Sequence, residues 1–140
     1  MPPNRHSDEN DPNDWFYSAM DRLRPADSLW RTEGFTHSGI ELLQEAMERY
    51  LKGFLIAKGL RLARTHDLRR LVQDACAYHA GFSRSQTMSK ELTEEFFAHH
   101  YPGGDWTSLG GNYESLRQQA GGLIELIKQI LPQYFAAAGS

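Results

Sequence analysis

The stretch from Ile40 to Leu55 constrains the fold more than any other part of the chain. Ile40, Leu43, Met47, Tyr50, Leu51, Phe54 and Leu55 recur at three- and four-residue steps, the spacing that stacks side chains on one face of an α-helix. Glu41, Glu45, Glu48, Arg49 and Lys52 fall between them, on other faces. A stripe that wide is stable only when neighbouring elements cover it. Its limits are legible too. Ser38-Gly39-Ile40-Glu41 has the Ser-x-x-Glu form of a capping box, with a start one turn earlier also allowed, and Lys58-Gly59 supplies a last-turn cation followed by a glycine.

The covering elements are also helical in pattern. Trp15, Ala19 and Leu23 stand four apart, and Pro25 then either kinks that helix or starts a short one carrying Leu29 and Trp30. Thr65 can cap a third helix bearing Leu68, Leu71, Val72 and Ala75, with Asp67 in its first turn. Residues 81–89 read as loop, and Met88, Leu92 and Phe96 mark a fourth helix stopped by Pro102-Gly103-Gly104. A last helix from about Asn112 turns Tyr113, Leu116, Ala120, Leu123, Ile127 and Leu131 inward, and Gly121-Gly122 suggests a close crossing. No strand-like alternation, repeat or Gly-rich phosphate loop interrupts the pattern. The expectation is an all-α fold, an antiparallel four- to five-helix up-and-down bundle.

With 140 residues the chain is one domain long. Residues 1–12 are polar, lack an apolar period and are expected as a disordered N-terminal arm; 13–135 form the bundle and 136–140 a flexible tail. Neither a signal peptide nor a membrane span is expected. Cys76 is the only cysteine, which excludes an internal disulfide and a four-thiolate metal site and suits a reducing, cytoplasmic setting. The formal charge of −3 provides no global cationic field. Basic residues cluster once, at Arg61, Arg64, Arg69 and Arg70, opposed only by Asp67, which makes this turn the candidate anion-binding face.

Several residues carry candidate chemistry. His66 with Arg61 and Arg64 could cleave RNA: a neutral imidazole takes a proton from a 2′-hydroxyl and a guanidinium stabilises charge building on phosphorus. The plainer alternative has His66 and Asp67 tying down a helix start and the arginines solvated. His79, His99, His100 and Cys76 are good zinc ligands by type, but adjacent helical residues point about 100° apart, so no metal site is expected and the histidines would serve a helix C-terminus instead. His100 and Tyr101, in the aromatic segment running to Trp106, could stack a base. Arg31 and His37 share the spacing of Arg61 and His66, which shows how readily chance produces it.

The aromatic first helix beginning Trp15-Phe16, the run Gln44 to Leu55 ending in Lys58-Gly59, and the turn Thr65-His66-Asp67-Leu68 together resemble the HEPN family of small helical domains. Tyr101-Pro102 resembles that family's aromatic-proline stop after its fourth helix, and the similarity covers roughly residues 14 to 135. The resemblance implies a four- or five-helix bundle, a homodimer, and work on nucleotides or RNA, often beside a nucleotidyltransferase partner in toxin-antitoxin or defence systems. Catalytic members are metal-independent RNases with an Arg-x(4 to 6)-His motif. Arg61 and His66 satisfy that spacing, with Leu62 where the family usually has a polar residue and with the pair ahead of the third helix rather than late in one. The expected function is a binding module for nucleotide, RNA or a protein partner, with Arg64, Asp67, Arg69, Arg70, His100 and Tyr101 as ligand contacts and no cofactor. The alternative is an endoribonuclease using His66 as base and Arg61 as stabiliser. The dimer has a second motive in the apolar positions Trp15, Phe16, Trp30 and Tyr50, which exceed what one small bundle needs.

Overall fold

Asp11 starts the first helix: its side chain accepts from the Asn13 amide at 2.9 Å, and Pro12 follows in the one position where a missing N–H costs nothing. In the computed structural model, which describes residues 5–100, 102–103, 106 and 112–135, this helix (α1, Pro12–Glu33) continues through Pro25. Of the two expected effects of Pro25, a kink or a fresh start, the fresh start does not occur, for a physical reason. Pro25 lies on the exposed face, so water can take the carbonyl it leaves unbonded, while Ala26 behind it is fully buried.

The second helix (α2, His37–Ala57) is capped by Thr36, whose hydroxyl accepts from the Gly39 amide at 2.8 Å. The start is therefore upstream of the Ser38 capping box. Gly59 closes α2 at a φ of 88°, with its own amide on Ile56 and the Leu60 amide on Leu55, the left-handed ending that favours glycine. The third helix (α3, Leu68–Cys76) is capped by Asp67, not Thr65. Thr65 instead accepts from the Asp67 amide at 3.1 Å, shaping the turn one step earlier. A 3₁₀ segment, Ala80–Ser85, replaces part of the expected loop and leads into α4 (Gln86–His100). The chain then forms α5 (Tyr113–Ile130) and a short 3₁₀ turn, Pro132–Tyr134.

Side-chain pairings give the directions. Arg22 meets Glu45 and Arg49 meets Ser18, so α1 and α2 run antiparallel. Asp27 meets Arg117 and Trp30 stacks on Tyr113, so α1 and α5 do too. His99 at the end of α4 lies against His37 at the start of α2. The result is an all-α antiparallel bundle, with five helices and no strand among the described residues. All seven stripe residues of α2 are buried, as are the six inward positions of the last helix.

The close crossing is not at Gly121-Gly122, where a Cβ would meet only the tip of Arg117 or nothing. It is at Gly53, where a Cβ would lie 2.7 Å from the Phe16 ring. Phe16, in turn, packs against Tyr50, Tyr134 and Phe135. The apolar positions counted as surplus are thus used inside the bundle: Phe16 and Tyr50 are buried, Trp30 stacks on Tyr113, and Trp15 is half-buried. Among the described residues no helix is long and apolar enough to cross a membrane.

Candidate functional site

Within α2, Glu41, Gln44, Glu48 and Lys52 follow one another at three- and four-residue steps and form a polar ridge along the helix. Gln44, Glu48 and Lys52 are buried, although their residue types assign them to solvent. Burying a charge is costly unless it is paired, and each of these finds a partner. Lys52 donates to Glu48 at 2.9 Å and its ammonium lies 5.6 Å from the centre of the Trp15 ring. Gln44 donates to the His66 carbonyl at 3.2 Å, which fixes the turn between α2 and α3 over the ridge. The other amide atom, Oε1 of Gln44, is buried without a partner.

The His66 ring is held by the same ridge. Its Nδ1 lies 2.9 and 3.1 Å from the two carboxylate oxygens of Glu48. An ionised carboxylate only accepts, so Nδ1 donates and, in the neutral ring, Nε2 keeps the lone pair. The imidazole is otherwise open to solvent, its side chain 85% exposed. A buried carboxylate clamped by Lys52 therefore orients an exposed base.

This base stands at the edge of a cleft of about 600 Å³ between the start of α1, the second half of α2 and the turn that follows it, a size suited to a small organic ligand. Arg22, Arg49, Lys52 and Arg64 bring positive charge to it, and Trp15 and Tyr17 bring aromatic surface. Residues 5–11, expected as a disordered arm, contribute Arg5, Ser7, Asp8 and Glu9 to its wall. Arg49 spans the floor, donating to Ser18 at 2.9 Å and to the Glu45 carbonyl at 3.2 Å.

The arginine turn does not act as one face. Arg64 lines the cleft and pairs with Glu9 at 2.7 Å. Arg61 is exposed and is not among the residues lining the cleft. Arg69 folds back on Asp67 at 3.2 Å, and Arg70 approaches Asp74 at 3.9 Å, one turn along α3. Asp67 is occupied as a helix cap. Burial pushes its carboxyl up, but hydrogen bonds from the Arg69 side chain and the Arg69 and Arg70 amides outweigh this and hold it below the usual range. His100 stacks on Phe96 and approaches Glu41 at 3.7 Å, two turns up the ridge from Glu48 and outside the cleft. Tyr101 lies outside the described residues.

The remaining candidates have structural surroundings. His79 caps the 3₁₀ segment through the Gly81 amide at 3.0 Å. Gln86 is 3.9 Å from the Cys76 sulfur. His99 is buried among Phe35, His37 and Trp106, and neither ring nitrogen has a hydrogen-bond partner, so it serves no helix-end carbonyl. Burial, then the neighbouring His37, pushes its pKa down. Among the described residues no three His, Cys, Asp or Glu side chains come together as a metal site requires.

The sequence pattern puts Glu48, Arg49 and Lys52 only on other faces of α2, and Trp15 only among the apolar positions, so none of the four stands out as a site residue. The signal that identifies Glu48 and Lys52 is the Glu-to-Lys step of four within α2, which pairs them whichever way the face points. A family model described as HEPN domain matches residues 12–131. No curated protein and no solved structure matches the chain.

Proposed function

The chain belongs to the HEPN family, and from that premise we propose that it is a HEPN-type module binding a phosphate-bearing ligand, a nucleotide or an RNA segment, in the α1–α2 cleft. The observation that carries this is a cleft lined by the guanidinium groups of Arg22, Arg49 and Arg64 together with the Trp15 ring. Guanidinium groups suit phosphate oxygens through paired N–H donors, and Trp15 offers a face on which a base can stack. The proposed phosphate contacts are Arg64 and Arg49. Arg61, Arg69 and Arg70 are peripheral to this reading.

The test is titration of the protein with inorganic phosphate and with adenosine monophosphate, read by calorimetry and by melting temperature. Both ligands should stabilise the fold, with weaker effect as salt rises. Arg64→Ala should weaken binding while Arg70→Ala leaves it unchanged. Equal affinity in wild type and Arg64→Ala would refute the assignment.

One observation supports the catalytic alternative. Glu48 fixes the His66 ring so that Nε2, the remaining lone pair, is left for a substrate, the arrangement of a positioned general base. In RNA cleavage, Nε2 would take the 2′-hydroxyl proton as the 2′-oxygen attacks the adjacent phosphorus. The P–O5′ bond breaks, the leaving oxygen is protonated by water, and Arg64 offsets charge on the phosphoryl oxygens. Cleavage of single-stranded RNA that survives EDTA and disappears in His66→Ala is the result this alternative requires. A homodimer, a nucleotidyltransferase partner and a toxin-antitoxin setting follow from the family resemblance alone; sedimentation velocity at micromolar concentration tests the first.

A further inference from the structure

Every positive group lining the cleft already faces a carboxylate or other acceptor of the chain itself, and residues 5–11 supply Glu9, the half-exposed partner of Arg64. Arg5 forms a bidentate pair with Asp14 at the start of α1, and the Asp8 amide donates to the same carboxylate at 2.8 Å. The Trp15 indole donates to the Glu9 carbonyl at 2.8 Å. These contacts set the backbone of the segment across the mouth of the cleft. They also direct the Glu9 carboxylate across to Arg64, fifty-five residues further along the chain, at 2.7 Å.

The charges show what this segment does to the field. Five Lys or Arg side chains and four Asp or Glu side chains line the cleft. Of these, the segment contributes Arg5 against Asp8 and Glu9, so it lowers the local charge by one unit and places a carboxylate on Arg64. Without it, the cleft would present Arg22, Arg49, Lys52 and Arg64 against Asp14 and Asp21.

We propose that residues 5–11 are an acidic strap acting as a built-in competitor: the Glu9 carboxylate occupies Arg64 in place of a ligand phosphate, and a phosphate ester enters the cleft by displacing it. This inference rests on the anion-binding reading of the cleft. It adds that affinity is set by exchange of one anion for another on the same guanidinium. The Glu9–Arg64 pair is well suited to exchange, because both side chains are at least half exposed, and exposed ion pairs hold weakly. The firmer Asp14 contacts keep the strap tethered while Glu9 is displaced.

The experiment compares full-length wild type with Glu9→Gln, titrated with inorganic phosphate at low and at high salt. Glu33→Gln, which changes net charge equally at the far end of α1, is the control. Glu9→Gln should bind phosphate about two- to fivefold more tightly at low salt, the span that an exposed ion pair accounts for. The advantage should shrink as salt is added. Glu33→Gln should match wild type. In wild type the Trp15 indole N–H resonance should move as phosphate saturates. Equal affinity for wild type and Glu9→Gln, with both weakened by Arg64→Ala, would overturn the strap and leave the anion site standing. No binding by wild type or Glu9→Gln would overturn the anion site and the strap with it.

Discussion

Removing the Glu48 side chain should be the most damaging single change outside the apolar core. In Glu48→Ala the Lys52 ammonium, 7% exposed and within 2.9 Å of that carboxylate, loses its one counter-charge among the described residues while the Trp15 ring stays 5.6 Å away. Stranding one partner of a buried pair costs about 3–5 kcal/mol, far above the 0–1 kcal/mol of a surface pair. In urea, with a denaturant dependence of about 2 kcal/mol per molar for a chain of this size, the midpoint should fall by about 2 M. The decisive comparison is Glu48→Met/Lys52→Met. Replacing both charges by apolar groups of similar length removes the stranded ion, so the double variant should lose much less than Glu48→Ala, and Lys52→Met should make further loss of Glu48 nearly harmless. Equilibrium unfolding followed by helical circular dichroism measures all three. A Glu48→Ala loss below about 1 kcal/mol, unchanged in the Lys52→Met background, would place the pair in the surface class and refute the burial argument.

Three other outcomes follow from single positions. Gly53→Ala gains about 1 kcal/mol of helix propensity but forces a Cβ to 2.7 Å from the Phe16 ring, an overpacking cost of about 1–3 kcal/mol; the net loss of about 1 kcal/mol should lower the melting temperature by about 3 °C, and a rise would deny the close crossing. The Arg5 guanidinium, then the Asp8 amide, hold the Asp14 carboxyl below its ordinary value of 3.8. The strap's tether is therefore complete above that value and is lost as pH falls through the lower folded one. The Trp15 indole resonance should report release in that acid window, and an unchanged resonance until the whole bundle unfolds would contradict it. Burial pushes the phenols of Tyr50 and Tyr113 up to about 12. Two of the six tyrosines should thus resist ionisation in an ultraviolet titration to pH 11 and add stability that disappears as pH rises through 12; titration of all six by pH 11 in the folded protein would refute it.

The bundle was legible because its helices satisfy one rule repeatedly: apolar residues at three- and four-residue steps need cover, and every apolar position that the spacing names along α2 and the last helix is buried. Cap positions were less legible. Ser38 and Thr65 have the right chemistry, yet Thr36 and Asp67 do the capping, because neighbouring Ser, Thr and Asp residues compete and backbone geometry decides among them. At Pro25 the spacing leaves a kink and a second helix equally open, because sequence does not show that the carbonyl four residues earlier, left unbonded, faces water. The site was half legible. His66 and Arg64 stand out by type, whereas the pattern places Glu48 and Lys52 only on faces other than the apolar stripe, since nothing local reveals that the α2–α3 turn folds back over that part of the helix. Arg61 illustrates the converse: its spacing to His66 fits a motif, but the chain between Gly59 and Asp67 is not helical, so sequence spacing does not set which side chain shares a cleft with the imidazole.

The placement of His66 separates binding from catalysis more sharply than its identity does. A histidine used only to tie a turn would spend both nitrogens on its own segment; this one, in the link between α2 and α3, spends Nδ1 on a residue eighteen positions away within α2 and keeps its ring in solvent. That geometry keeps one tautomer available at the cleft edge, which binding of a phosphate does not require but proton transfer does. Phosphate affinity should therefore depend on Arg64 far more than on Glu48-dependent ring orientation. RNA cleavage, where it occurs, should depend on both. Glu48→Gln keeps an oxygen able to accept from Nδ1 and loses the carboxylate charge. Phosphate affinity retained and cleavage diminished in that variant would assign the dyad to catalysis, whereas parallel loss of both would reduce Glu48 to a support for the cleft wall.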